Sequence, residues 1–188
     1  MERFLEFPIF DRIMNEIIKA GVEDATLLSH LGTQTFRESH GHSAAEEDIE
    51  GYIERRLSPD ALATELGDPS NHFYICLIDG MPAGYVKLIP DCGHPELERV
   101  HITKLERLYI LRDYYGSGIG QRLLDQAIEC SKSLDQSGMW LYAWTENHRA
   151  VAFYVRNGFR IVGHYDFEIS PTHSNPNHRM FLDYSQTH

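Results

Sequence analysis

The stretch YYGSGIGQRLL, residues 114–124, sets Gly116, Gly118 and Gly120 directly before an apolar-periodic run. Three glycines there fit a flexible linker, a phosphate-cradling loop or a plain turn, and the flanks have to choose. Downstream, Ile119, Leu123, Leu124, Ala127 and Ile128 recur at helical spacing, which predicts a helix of about four turns with one apolar face. Upstream, LERLYIL at 105–111 reads as a buried strand. In the order strand, glycines, helix, backbone N–H groups can turn inward at a helix N-terminus, where phosphate oxygens bind. No Lys-Ser or Lys-Thr follows the glycines as a P-loop requires, and GSGIGQ lacks the dinucleotide spacing. From these residues alone, a structural turn explains the loop as well as a ligand does.

The rest of the chain alternates in the same way. IMNEIIKA (13–20) predicts a first strand, and the spacing of Ala25, Leu27, Leu28, Leu31 and Phe36 predicts a helix ending near Gly41. A second short helix covers 45–57. SPDALATELG (58–67) is a third, with Ser58 as N-cap, Pro59 at the first helical position and Gly67 past the end. HFYICLI and MPAGYVKLI, joined by Asp79-Gly80, form a hairpin, and residues 90–101 read as a loop. MWLYAW (139–144) is a short aromatic strand, followed by the helix NHRAVAFYVRNG, which closes at Gly158. FRIVGHYDFEI and HRMFLDYS supply the last strands, with SPTHSNPNH (170–178) as a loop between them.

The chain has 188 residues, 42% of them hydrophobic, enough for one good core and no second domain. Seventeen basic against 28 acidic residues argue against a nucleic-acid surface and would steer cationic partners, although acidity also serves solubility alone. Cys76, Cys92 and Cys130 form no CxxC pair, which suits a reducing compartment. With no signal segment and no apolar run near twenty residues, the expectation is a cytoplasmic protein that meets no membrane.

Together, LERLYIL, YYGSGIGQRLL, MWLYAW and NHRAVAFYVRNGF resemble the acetyl-CoA-binding core of the GNAT superfamily of N-acetyltransferases. That pattern is Gln/Arg-x-x-Gly-x-Gly/Ala, then Asn-x-x-Ala-x-x-Phe-Tyr and Gly-Phe, met by Asn147, Ala150, Phe153, Tyr154, Gly158 and Phe159. Tyr115 stands where the family has Gln or Arg. The resemblance runs from about residue 15 onward and implies an α/β fold. Its sheet would be mixed and mostly antiparallel, of six or seven strands flanked by helices, split where strands 105–111 and 139–144 diverge to admit the cofactor. It implies one N-acetyltransferase domain over 1–188, with 1–12 as an N-terminal extension.

Carried over residue by residue, Tyr115, Gly116, Ser117, Gly118, Ile119, Gly120 and Gln121 would hold the pyrophosphate of acetyl-CoA. Leu108, Tyr109 and Ile110 would pair with the pantetheine arm as an added strand. Asn147 would also touch that arm, and Tyr154 would lie near the sulfur. No metal is implied: the pairs His40 with His42 and His173 with His178 lack carboxylate or cysteine partners at ligand spacing.

Acetyl transfer to an amine needs a proton acceptor, because an alkylamine with a pKa of roughly 10.4 is almost wholly protonated at neutral pH. It also needs a donor for the developing oxyanion, for which the Ile110 N–H is the candidate, and an acid for the leaving thiolate. Tyr154 is that acid by resemblance, a phenol being only somewhat less acidic than a thiol; its bland alternative is an aromatic packing a helix on the sheet. Glu106 is the candidate base, directly or through water, against the alternative of a strand-end carboxylate paired with Lys104 or Arg107. His94 and His101 are alternates.

Within the superfamily, TFRESHG, SPDALATELGDPSNHFYICLIDGMPAGYVKL and AFYVRNGF are similar to the PaiA-type spermine/spermidine N-acetyltransferases. Glu38, Glu96 and Glu98 would suit a small polycationic amine. A peptide, ribosomal-protein or aminoglycoside amine is the alternative within catalysis, and a non-catalytic coenzyme A sensor is the alternative outside it. Residues 1–12, the C-terminal strand or GHYDFEI could form a homodimer contact, with exposed apolar area as the sign.

Overall fold

The computed structural model describes residues 15–186, so the N-terminal extension lies outside the described residues. Strand β1 (Asn15–Lys19) leads into three helices, α1 (Ala25–His40), α2 (Glu46–Leu57) and α3 (Pro59–Gly67). Strands β2 (His72–Ile78) and β3 (Met81–Ile89) form the hairpin, and β4 (Ile102–Ile110) precedes helix α4 (Ile119–Ser133). Strand β5 (Gly138–Trp144), helix α5 (His148–Arg156) and strands β6 (Arg160–Ser170) and β7 (His173–Asp183) complete the chain.

All seven strands join one sheet in the order β1-β2-β3-β4-β5-β7-β6. Every pairing is antiparallel except β4 with β5. That parallel pair holds only at Ile102↔Gly138, Thr103↔Met139 and Lys104↔Trp140. Beyond Lys104 the strands part, and the sheet opens there.

The cause of the parting lies in β4. Leu88 pairs with Leu105 and Lys87 with Arg107, so Glu106 is an extra residue opposite β3. Such a bulge bends its strand and re-aims the next side chains. Glu106 therefore sits in mid-strand, not at a strand start as expected, because the buried Ile102 and Thr103 extend the strand backward.

The two faces of the sheet carry different layers. Leu123, Leu124 and Ala127 of α4 pack on Val86, Leu105, Leu141 and Met180. On the other face, Leu28 and Leu31 of α1 and Leu62 of α3 meet Phe73, Ile75 and Tyr85, while Phe36 joins Ile49, Ile53 and Ile169. Truncating one such buried leucine would cost about 2–5 kcal/mol, so each layer is firmly seated.

A second expectation is corrected. Residues 173–178, anticipated as a loop, are strand: β6 and β7 form a hairpin whose turn is only Pro171 and Thr172. The turn-forming residues Ser174, Asn175, Pro176 and Asn177 are strand because β6 supplies a ladder partner to each, with β5 joining at Asn177, which overrides their weak strand preference. The edge strand β6 leaves Ile161, Val162 and Tyr165 more than two-fifths exposed. Among the described residues no helix is long and apolar enough to cross a membrane.

Candidate active site

The opening between β4 and β5 is a cleft of about 570 Å³ that reaches both faces of the sheet. On the α4 side, the Leu111 N–H donates to the Ala83 carbonyl at 2.9 Å, and Gly84 is opposite Ile110. Bonding direction alternates along an antiparallel strand. Leu108 and Ile110 therefore turn their N–H and C=O groups away from β3 and toward the gap, while Tyr109 spends its own on β3.

The glycine stretch closes the end of this edge. Gly116 (φ +79°) and Gly118 (φ +86°) are left-handed, a conformation cheap only without a side chain. Gly118 precedes α4, no side chain caps the helix there, and the amides of Ile119, Gly120 and Gln121 open it as donors without helical partners. A Cβ on Gly120 would stand 3.0 Å from Ile110 Cδ1, so that glycine brings the helix against the strand edge. The side chains of the loop are mostly occupied elsewhere. Ser117 donates to the Tyr114 carbonyl, Gln121 donates to Asp125 and Asn157, and Ile119 is in the core. What the loop offers an anion is backbone.

Tyr115 does not leave that end without a cation. The Arg149 guanidinium of α5 lies over the Tyr115 ring, 3.2 Å from its centroid, and both line the cleft. Sequence reasoning missed Arg149, which lies in a different element; the only signal was its place in the first turn of the predicted helix. Asn147 caps α5, its Oδ1 accepting from the Ala150 N–H at 3.1 Å, and also lines the cleft. Tyr154 packs edge-on between Phe153 and Phe159, with centroids 5.3 and 5.4 Å away. Burial pushes its phenol pKa up, so it keeps its proton at neutral pH.

The opposite mouth is walled by rings: Phe36 and His40 of α1, Tyr52 of α2, Tyr109 of β4, Trp144 of β5 and Phe167 of β6. Straps hold these elements together. The His173 Nε2–H donates to the Ser43 carbonyl, Asn175 donates to the Ser43 hydroxyl, and Arg55 donates to the Ile169 carbonyl, each at 2.8 Å. The Arg112 N–H in turn reaches Glu38 at 2.7 Å, tying the end of α1 to the approach of the glycine loop.

Charge in this half is largely matched. Glu65 accepts Arg107 on both oxygens, at 2.7 and 3.0 Å, and Lys87 at 3.0 Å. Glu106 pairs with Lys104 at 2.5 Å and stands 3.8 Å from Arg56. Burial alone would raise the pKa of Glu106, but Lys104, together with Lys87 and Arg107, outweighs it and holds the carboxyl below its ordinary range. The anticipated partner Arg107 instead turns to Glu65.

Other expected residues fall outside the cleft. His94 bonds the Tyr142 hydroxyl at 2.8 Å, and His101 is exposed beside Asp91. Of the carboxylates expected to suit a polycation, Glu38 is bound to Arg112 and Glu96 to Arg179, and none of the three lines the large cleft. Among the described residues no three histidine, cysteine or acidic side chains stand together as a metal site would need.

Residues 29–159 match the model of the Acetyltransferase (GNAT) family. The chain belongs to this family. An uncharacterized N-acetyltransferase of Lactobacillus delbrueckii subsp. lactis is 28% identical over 143 residues, 76% of this chain and 83% of its own. A spermidine N(1)-acetyltransferase of Thermoplasma acidophilum is 26% identical over 78% of this chain and 88% of its own. In fold, the GNAT chain is similar to the PaiA N-acetyltransferase of Thermoplasma acidophilum, solved in complex with coenzyme A. The TM-score is 0.74 at 23% identity, covering 92% of this chain and 100% of that one. This GNAT protein is accordingly an N-acetyltransferase, and acetyl-CoA is its acetyl donor.

Proposed function

We propose that this acetyltransferase moves the acetyl group of acetyl-CoA to a primary amine by direct attack in a ternary complex. The observation that carries the reading is the two-faced gap. Open backbone donors line one mouth and aromatic rings the other, so donor and acceptor can meet inside it without crossing. On the first side, the amides following Gly118, with Arg149 beside them, would hold the pyrophosphate, and the free groups of Leu108 and Ile110 would pair with the pantetheine arm. Asn147, with its oxygen committed to the helix cap, keeps its NH₂ for the same arm.

In the reaction, the Ile110 N–H would donate to the developing oxyanion. Tyr154 would give its proton to the leaving thiolate. A raised phenol pKa makes this a weak acid, but a thiolate released into the same dry surroundings is destabilised as well, so the transfer stays balanced. Glu106, ionised and fixed by Lys104, would take the ammonium's first proton through water.

A polyamine acceptor is the narrower form of this reading, supported by the spermidine-acetylating relative. The test is thiol release from acetyl-CoA with spermidine, spermine, a Lys peptide and an aminoglycoside in parallel. Turnover with polyamines alone supports both forms, and turnover with another amine retains the enzyme and replaces its substrate. Coenzyme A binding without turnover across a wide amine panel favours a sensor.

A further inference from the structure

His40 was set aside in the sequence as half of an incomplete metal pair, yet it lines the cleft at the acceptor mouth. Its ring bridges the two diverging strands. It stacks on Trp144 of β5 with centroids 5.6 Å apart and stands edge-on to Tyr109 of β4 at 6.1 Å. Phe36, one turn back on α1, stacks on it at 4.9 Å. The ring is thereby held at the place where the sheet opens.

Its tautomer follows from its neighbour. The Ser39 hydroxyl lies 2.7 Å from the Thr35 carbonyl oxygen and 2.7 Å from His40 Nδ1. Two oxygens at that distance need a hydrogen between them, and a carbonyl has none, so the hydroxyl donates to Thr35. The oxygen is then an acceptor toward the ring, and Nδ1 must carry the hydrogen it receives. Nε2 is left with a lone pair that no donor among the described residues takes up. Burial first, and the neighbouring His42 second, lower the pKa of His40 to about 4, so the ring is neutral under ordinary conditions.

We propose that His40 is a catalytic residue of this acetyltransferase, its Nε2 receiving the hydrogen bond of the acceptor amine and then the proton released as the amide forms. This rests on the reading of the cleft as an amine-acetylating site. An ammonium must lose two protons on its way to an amide, and the proposal gives the second one a destination. The first leaves before attack, to water and Glu106. The amine lone pair then forms the C–N bond as the C–S bond breaks, the nitrogen's surplus proton passes to Nε2, and Tyr154 protonates the thiolate. Imidazolium and phenolate afterwards exchange protons with solvent, restoring both residues with no net change, so the one proton the reaction releases is the one lost before attack. A neutral imidazole suits this step, since it accepts nothing from an ammonium in the resting complex and becomes useful once attack has made the nitrogen acidic.

The experiment begins with the nitrogen-15 spectrum of His40 in the free protein at pH 7, which requires no substrate. A bare Nε2 and a hydrogen-bearing Nδ1 are expected, and a protonated Nε2 overturns the proposal whatever the activity. With an amine that the wild type acetylates, His40→Phe keeps the stacked ring and removes the nitrogens. It should lower kcat by about a hundredfold or more while acetyl-CoA KM stays within about twofold. His40→Gln, which restores an acceptor without basicity, should recover the acceptor KM and not kcat, and added imidazole should raise the kcat of His40→Ala. Wild-type kcat in either His40→Phe or His40→Gln overturns the proposal. Absence of wild-type thiol release with every amine would instead strike the amine-acetylating reading, and the spectrum would still judge the tautomer.

Discussion

The donor mouth and the acceptor mouth of the cleft are built by opposite means. The donor mouth is contiguous chain, from β4 through the glycine stretch to α5, and its working groups are mostly backbone amides. The acceptor mouth gathers side chains from α1, α2, β4, β5, β6 and β7, and its working groups are rings and matched charges. The first tolerates side-chain change wherever the backbone path survives. The second depends on long-range packing and on ion pairs seated beneath it.

The sharpest way to break this contrast is at the charge seat. Glu65→Ala leaves Arg107 buried with Lys87 and without the carboxylate that both contact, and should cost about 3–5 kcal/mol of stability, read by denaturant unfolding. The same seat gives a pH signature. Burial would raise the pKa of Glu65, but Arg107 and Lys87 outweigh it and hold the carboxyl below its ordinary 4.5. A depressed folded pKa adds stability above the unfolded value, which is lost as pH falls through the folded one. Acid unfolding should therefore steepen below about pH 4.5 in the wild type, and that component should vanish in the variant; an unchanged curve would mean the seat contributes nothing.

Next in size is Tyr154→Phe, which should lower turnover by about ten- to a thousandfold with acetyl-CoA affinity nearly unchanged. Unaltered turnover removes Tyr154 as the acid and leaves it a packing aromatic. Gly118→Val forces a β-branched residue to φ +86° and should cost about 1–2 kcal/mol, with acetyl-CoA KM raised and acceptor KM spared. A rise in acceptor KM instead would show that the two mouths are not separable. The smallest effect is expected at Arg149→Ala. Losing the cation over Tyr115 should cost about 0.5–1 kcal/mol of acetyl-CoA binding and flatten its salt dependence.

Legibility followed the same division. The strand, glycine loop and two helices of the donor mouth announced themselves because period, turn residues and caps are local properties. Asp79-Gly80 did the same for the hairpin, both residues taking positive φ. The segment 170–178 misled because Ser174, Asn175, Pro176 and Asn177 carry turn chemistry, and only the ladder to β6, joined by β5 at Asn177, makes them a strand. Glu106 read as a strand end because residues 102–104 become strand through their pairing with β5, and its bulge depends on the register of β3. Arg149 and His40 went unassigned because each acquires its surroundings from another element.

What the sequence determined by itself is the order of elements, the glycine conformations that open α4 and the apolar faces that seat the helices, all set by short-range sterics and periodicity. The tertiary structure alone decided where β4 leaves β5, that Arg107 turns to Glu65 and not to Glu106, and that His40 spans the opening with a bare nitrogen. Those outcomes depend on which residues distant in the chain are brought within a hydrogen bond or a ring contact of one another, and no local propensity encodes that.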